Sequence, residues 1–147
     1  MFKNKRQTQR FGLLVAFIIV IYGASQYPQQ QDTSLSAPQT EIADLFQQQQ
    51  SNVQIEAAGR VIRILQDDND GSRHQRFIVE MADGHTLLVA HNIDLAPRID
   101  ELEVGDEVTI YGEYEWNNKG GVLHWTHHDP DNEHPHGWIR HQGQLYQ

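Results

Sequence analysis

The sequence predicts an all-β fold: a five-stranded OB-like Greek-key barrel with a short helix and a C-terminal hairpin, preceded by an N-terminal hydrophobic helix. Three observations carry that expectation. From Val53 to His127 the chain is rich in β-formers, and its clearest segment alternates apolar and polar residues with a period of two. Clusters of Asp, Asn and Gly cut this stretch into five pieces of strand length. The first piece is long and carries Gly59 in its middle, which marks a bulge or a bend of the kind found at a barrel corner.

The chain has 147 residues, room for one domain, and opens on an address. Lys3, Lys5, Arg6 and Arg10 precede the apolar run Phe11–Ala24. As a helix, that run would span about 21 Å, short of the roughly 30 Å hydrocarbon core. It fits a signal peptide, with Gly23-Ala24-Ser25 as small residues for cleavage, or an uncleaved inner-membrane anchor flanked by Tyr22 and Tyr27. Both readings place the remainder outside the cytoplasm, in the periplasm, with the basic end inside. Residues 1–25 are therefore assigned as signal peptide or anchor. Residues 26–50 carry nine Gln with Pro28 and Pro38, a composition that cannot offset its chain entropy by burial, and read as a tether. Inside it, Ile42, Leu45 and Phe46 fall at helical spacing behind Thr40, a candidate N-cap, so a short helix is expected across residues 40–48.

Residues 51–147 form the expected domain. Val53–Leu65 is the first strand. The turn Asp67-Asp68-Asn69-Asp70-Gly71 leads into a second, Arg73–Ala82, and Asp83-Gly84 into a third, His85–His91. Asn92–Gly105 connects onward, with a short helix expected around Leu95–Leu102. Asp106–Trp116 alternates most clearly: Val108, Ile110, Tyr114 and Trp116 share one face with Gly112, and Glu107, Thr109, Tyr111, Glu113 and Glu115 share the other. Asn117–Gly121 turns the chain into a fifth strand, Val122–His127. Trp138–Tyr146 reads as a hairpin turning at Gln142-Gly143 and capping one end. A bent first strand and a helical connection between the third and fourth strands favour the OB barrel over a three-plus-two sandwich.

Several uncommon strings occur in order here: DDNDGSRHQRFIVEMADG, LLVAHNIDLAPRI, GEYEWNNKGGVLHWTHHDP and GWIRHQGQLYQ. Over about Val53 to Gln147 the chain resembles a bacterial family of small exported proteins classed only as domain of unknown function 3465. The resemblance implies an extracytoplasmic OB-like domain and no activity. The architecture is also distantly similar to periplasmic OB-fold proteins that bind small ligands, a likeness of fold and not of site.

Charge narrows the partners. Beyond the first ten residues, seven basic residues face 20 acidic ones, about −13 with neutral His. Such a body repels phosphates, so nucleic acid is not expected as a partner. There are no cysteines, which excludes disulfides, thiolate metal sites and a Cys nucleophile.

Six of the nine His lie between His124 and His141. Neutral imidazole binds zinc, copper and nickel, so a transition-metal cofactor is one expectation, with His127, His128, Asp129 and His134 converging from the loop that Asp129-Pro130 begins. On a straight strand His124 and His128 would stand about 13 Å apart, so this requires a turn near His127. No zinc spacing motif is present, and a solvated His-rich loop explains the same residues. Trp125 suits stacking on a flat ligand or packing in the core. Asp129 next to His128 is placed to orient an imidazole, yet no Ser nucleophile has a recognisable context, and the sequence assigns no catalytic residue. In the basic cluster Arg73–Arg76, His74 and Arg76 share a face, and His91-Asn92 is expected on the neighbouring strand; the many surrounding acids favour salt bridges. The Asp67–Gly71 turn lacks the twelfth-position Glu of a calcium loop and needs no ion.

Three functions follow as expectations. The first is an exported OB-fold module binding a small ligand through His74, Arg76, His91, Asn92, Trp116, His124 and Trp125. The second is a His-rich metal-binding protein, with or without hydrolysis. The third is an assembly partner of other envelope proteins.

Overall fold

The computed structural model describes residues 41–147; the expected signal peptide or anchor and the linker up to residue 40 lie outside the described residues. Among the described residues no helix is long and apolar enough to cross a membrane. The chain runs through α1 (Glu41–Gln47), β1 (Val53–Ile64), β2 (His74–Glu80), β3 (Thr86–Asn92), β4 (Glu107–Glu115), β5 (Val122–His124), β6 (Trp138–His141) and β7 (Gln144–Tyr146).

β1 pairs with β2, β2 with β3, β3 in parallel with β5, β5 with β4, and β4 back with β1. This closes a five-stranded barrel with the connectivity of the OB-like Greek key. The corner falls where Gly59 predicts it. β1 pairs with β4 up to Arg60 and with β2 from Arg60 onward, and its register slips between Val61 and Arg63. A Cβ at Gly59 would stand 2.8 Å from the Glu80 carbonyl oxygen, so a side chain there would push β2 away.

The period-two pattern becomes burial directly. Ile55, Val61, Phe77, Val89, Ile110 and Leu123 point inward and are buried. The short helix expected before the barrel forms as α1, and its Ile42 and Leu45 enter the same core. Each such side chain contributes roughly 1.5–3 kcal/mol in gross burial. Trp116 fastens the helix: its Nε1 donates to the Phe46 carbonyl at 3.1 Å, and the two rings stack with centroids 6.4 Å apart.

Two elements differ from expectation. The helix expected over Leu95–Leu102 is absent, and the β3–β4 connection is a run of turns. Pro97 lacks an N–H and disfavours helical geometry at Ala96. The loop's backbone is satisfied instead from a distance. The buried Gln75 amide donates to the Ile99 carbonyl at 2.8 Å and accepts from the Ile99 N–H at 2.9 Å. β5 stops at His124 instead of reaching His127, because Trp125 takes a left-handed backbone with φ 53°. The hairpin at Gln142-Gly143 forms as expected and extends the sheet: β6 pairs with Val108–Tyr111 of β4, and Ile139 is fully buried.

Candidate functional site on the outer wall of β4 and β5

β4 turns one side chain in two outward, and Glu113 and Glu115 stand on that outer face. The Asn117–Gly121 turn fixes the register of β5 so that His124 lies directly opposite Glu113. On the other side of β4, Gln54 of β1 is opposite Glu113 as well. Cross-strand partners share a face, so Gln54, Glu113 and His124 form a row with Glu115 beside it.

The His-rich segment 125–137 folds over this row. Trp125 leaves the strand in the left-handed region, a conformation that costs on the order of 1–2 kcal/mol for a bulky residue and collects at functional sites. It brings the indole flat against His134, with centroids 4.0 Å apart and planes 12° apart. Gly137 seats the far end of the loop: a Cβ there would collide with the carbonyl oxygens of Trp125 and Tyr111. Its N–H donates to the His127 carbonyl at 2.9 Å. Asp129 holds the middle. Its carboxylate accepts from the backbone N–H groups of Glu133 (2.7 Å), His134 (2.8 Å) and, at 3.3 Å, Asp131. Those donors, with the His134 N–H foremost, keep the Asp129 carboxyl below the usual carboxylate range despite its burial.

His134 donates from Nδ1 to the Pro135 carbonyl at 2.9 Å and from Nε2 to Glu113 Oε2 at 2.8 Å. An acceptor facing each nitrogen favours the doubly protonated ring. Burial pulls its pKa down, but the bonds to Glu113 and Pro135 outweigh it and the net shift is upward. His124 is the opposite case. Burial lowers its pKa, and its Nε2 sits 3.5 Å from Glu113 Oε1, beyond good hydrogen-bond range. His124 Nε2 and both amide heteroatoms of Gln54 are buried and have no hydrogen-bond partner. Among the described residues these three are the only such side-chain atoms, and their owners flank Glu113 from either side. The Glu115 carboxylate makes no ion pair or side-chain hydrogen bond among the described residues.

One group of His and carboxylate ligand atoms gathers within 4.8 Å among the described residues: Glu113, Glu115 and His124. Of the four residues expected to hold metal, none belongs to this group, and His134 alone is bonded to one of its members, Glu113. His127 is buried with Nδ1 donating to the His128 carbonyl at 2.7 Å. His128 is exposed, its ring centroid 4.5 Å from that of His136. Asp129 is committed to the backbone, as described.

The expected ligand residues divide as well. His124 and Trp125 lie at the outer wall. His91 is wholly buried, its Nδ1 bonded to Thr126 Oγ1 at 2.8 Å and its Nε2 to the Pro97 carbonyl at 3.1 Å. Burial drives its pKa down to about 4. Asn92 accepts from the Asp94 N–H in a local turn. Trp116 faces away from Glu113 and Glu115 and fastens α1. His74 binds the Ser72 carbonyl, and Arg76 is held by the Gln66 carbonyl and Asp68. Arg73 pairs with Asp94, so the basic cluster is spent largely on nearby acids. Asp67 in the acidic turn pairs with Arg98.

Gln54, Glu113 and Glu115 were not singled out by the sequence reading. The signal was present: a hairpin centred between Asn118 and Lys119 pairs His124 with Glu113, which places an imidazole between carboxylates two residues apart.

The fold and site together define a β-barrel domain in which, among the described residues, one group of His and carboxylate ligand atoms gathers, on the outer wall of β4 and β5. Residues 26–147 match the family described as "Protein of unknown function (DUF3465)", and the chain belongs to that family. No curated protein matches the sequence.

Proposed function

We propose that this protein is an exported, OB-like binding module whose small ligand is held on the outer wall of β4 and β5, beneath the Trp125–Gly137 loop. The basic start and the apolar run Phe11–Ala24 support the export half of this reading. One observation carries the binding half: the buried, unpartnered side-chain atoms of the described residues belong to Gln54 and His124, on either side of Glu113. A buried polar atom without a partner costs about 1–3 kcal/mol. Two carboxylates on one strand face also repel each other. A protein keeps such an arrangement when a ligand supplies the missing partners, and the unliganded domain is then less stable than it need be.

The test needs no ligand. Gln54→Met fills the same space without polar atoms, and Glu115→Gln removes one of the two charges. Each is expected to raise the melting temperature of the ligand-free protein by about 4 °C, the shift that roughly 1 kcal/mol gives a domain of this size. An unchanged or lower melting temperature in both variants overturns the reading.

A further inference from the structure

We infer that the ligand at this site is a divalent transition-metal ion of the zinc or copper type, bound by Glu113, Glu115 and His124, with His134 as the fourth donor. The inference rests on the binding-module reading and names its ligand.

Geometry comes first. The three donor atoms lie within 4.8 Å of one another, and His134 Nε2 is 2.8 Å from the second oxygen of Glu113. Donors about 2.0–2.2 Å from a tetrahedral ion stand roughly 3.4 Å apart, so rotations that move each atom by about 1 Å close the set of Glu113, Glu115 and His124, and His134 joins it by swinging off Glu113. Three of the four residues come from paired strands, and the fourth is clamped by Trp125 and by the Asp129 turn. The three-donor scaffold is therefore in place before an ion arrives, and His134 completes it on binding.

Donor chemistry selects the ion. Two imidazole nitrogens with two carboxylate oxygens suit zinc, copper and nickel. Calcium and magnesium prefer oxygen alone, calcium with six to eight ligands. The charges of Glu113 and Glu115 neutralise a dication, and the ion removes the repulsion between them. It also gives His124 Nε2 the partner it lacks. His134 enters as the neutral ring, releasing its Nε2 proton to solvent and exchanging Glu113 for the metal.

The exposed pair His128 and His136 is the obvious competitor. His136 Nδ1 already accepts from the Asp129 N–H at 3.0 Å, and among the described residues no third His or carboxylate joins the pair to make a gathered set. Two donors hold an ion loosely, so this pair serves as the control.

The full-length chain, made without a polyhistidine tag and kept in mild detergent, is stripped with chelator and titrated with Zn2+ by calorimetry. Co2+ follows as an optical probe of tetrahedral coordination. We expect about one equivalent of Zn2+ to bind and Co2+ to give intense visible bands. His124→Ala and Glu115→Gln should each weaken binding beyond the roughly 10–100-fold that losing an outer partner costs. The double variant His128→Ala/His136→Ala should bind as the parent does. Binding retained in both site variants but lost in the double variant overturns the inference and moves the metal to the exposed pair. Absence of saturable binding also overturns it, and the melting temperature of Gln54→Met then judges the underlying reading separately. A raised value keeps a site for some other ligand; an unchanged one removes both.

Discussion

The imidazole of His134 lies on the indole of Trp125 with 4.0 Å between ring centroids, and its Nε2 stands 2.8 Å from the Glu113 carboxylate, which favours the protonated ring. A cation stacked on tryptophan gains about 0.5–2 kcal/mol, more as water is excluded. Trp125→Leu is therefore expected to cost about 1–2 kcal/mol in denaturant unfolding. It should also move the His134 titration, followed by NMR, to lower pH. Trp125→Phe keeps a ring and should fall between the two; an unmoved titration in the leucine variant would show that the stack holds no charge.

His91 sets an acid limit. Its pKa is pushed by burial to about 4 in the folded protein, against an ordinary value of 6.5. Between those values the unfolded chain binds the proton and the folded one does not, so stability declines as pH falls from 6.5 towards 4. The loss is about 3 kcal/mol. His134, shifted upward, acts with the opposite sign: its contribution is full below its unfolded pKa and is lost as pH rises through the folded one. Urea unfolding of parent and His91→Gln across pH 4.5–7.5 separates the two. The parent should lose stability relative to the variant on acidification; parallel curves would refute the assignment.

Asp129 is expected to control the loop more than the barrel. Asp129→Ala removes the acceptor for three backbone N–H groups. A hydrogen bond to a charged group contributes about 1.5–3 kcal/mol, but the freed N–H groups of exposed Asp131 and Glu133 regain water, so the total loss should be near 3 kcal/mol. Hydrogen exchange at the Glu133 and His134 amides should accelerate while Phe77 and Ile110 stay protected. Uniform acceleration would mean that the loop and barrel unfold as one unit.

Gln75 answers for the missing helix. Gln75→Leu leaves the N–H and carbonyl of Ile99 buried without partners, at about 1–3 kcal/mol each. We expect a loss of about 2–4 kcal/mol by chemical denaturation. A cost below about 1 kcal/mol would indicate that water replaces the amide.

The barrel was legible because its determinants are local. Alternation gave the inward face of β4, Gly59 gave the corner, and Ile42, Leu45 and Phe46 gave α1. The departures come from contacts distant in sequence. Leu95–Leu102 has the spacing of a helix, but its backbone is satisfied by Gln75 from another strand. His124 to His127 reads as continuing strand, but Trp125 turns the chain and stacks on His134. The site was half legible for a related reason. The imidazoles stood out as rare residues, whereas Glu113 and Glu115 resembled the ordinary polar face of a strand. Only the cross-strand register to Gln54 and His124 distinguishes them.

β4 carries β1 along one edge, and β5 followed by β6 along the other. That division bears on assembly in time. The strand at the middle of the barrel is synthesised well before β6, and the part of its edge at Val108–Tyr111 stays unpaired until Trp138–His141 emerges. Pairings this far apart in sequence form late and slow folding. An arrested or clipped chain ending before Trp138 would thus present an open strand edge beside acidic Glu107, and would be prone to join another copy edge to edge.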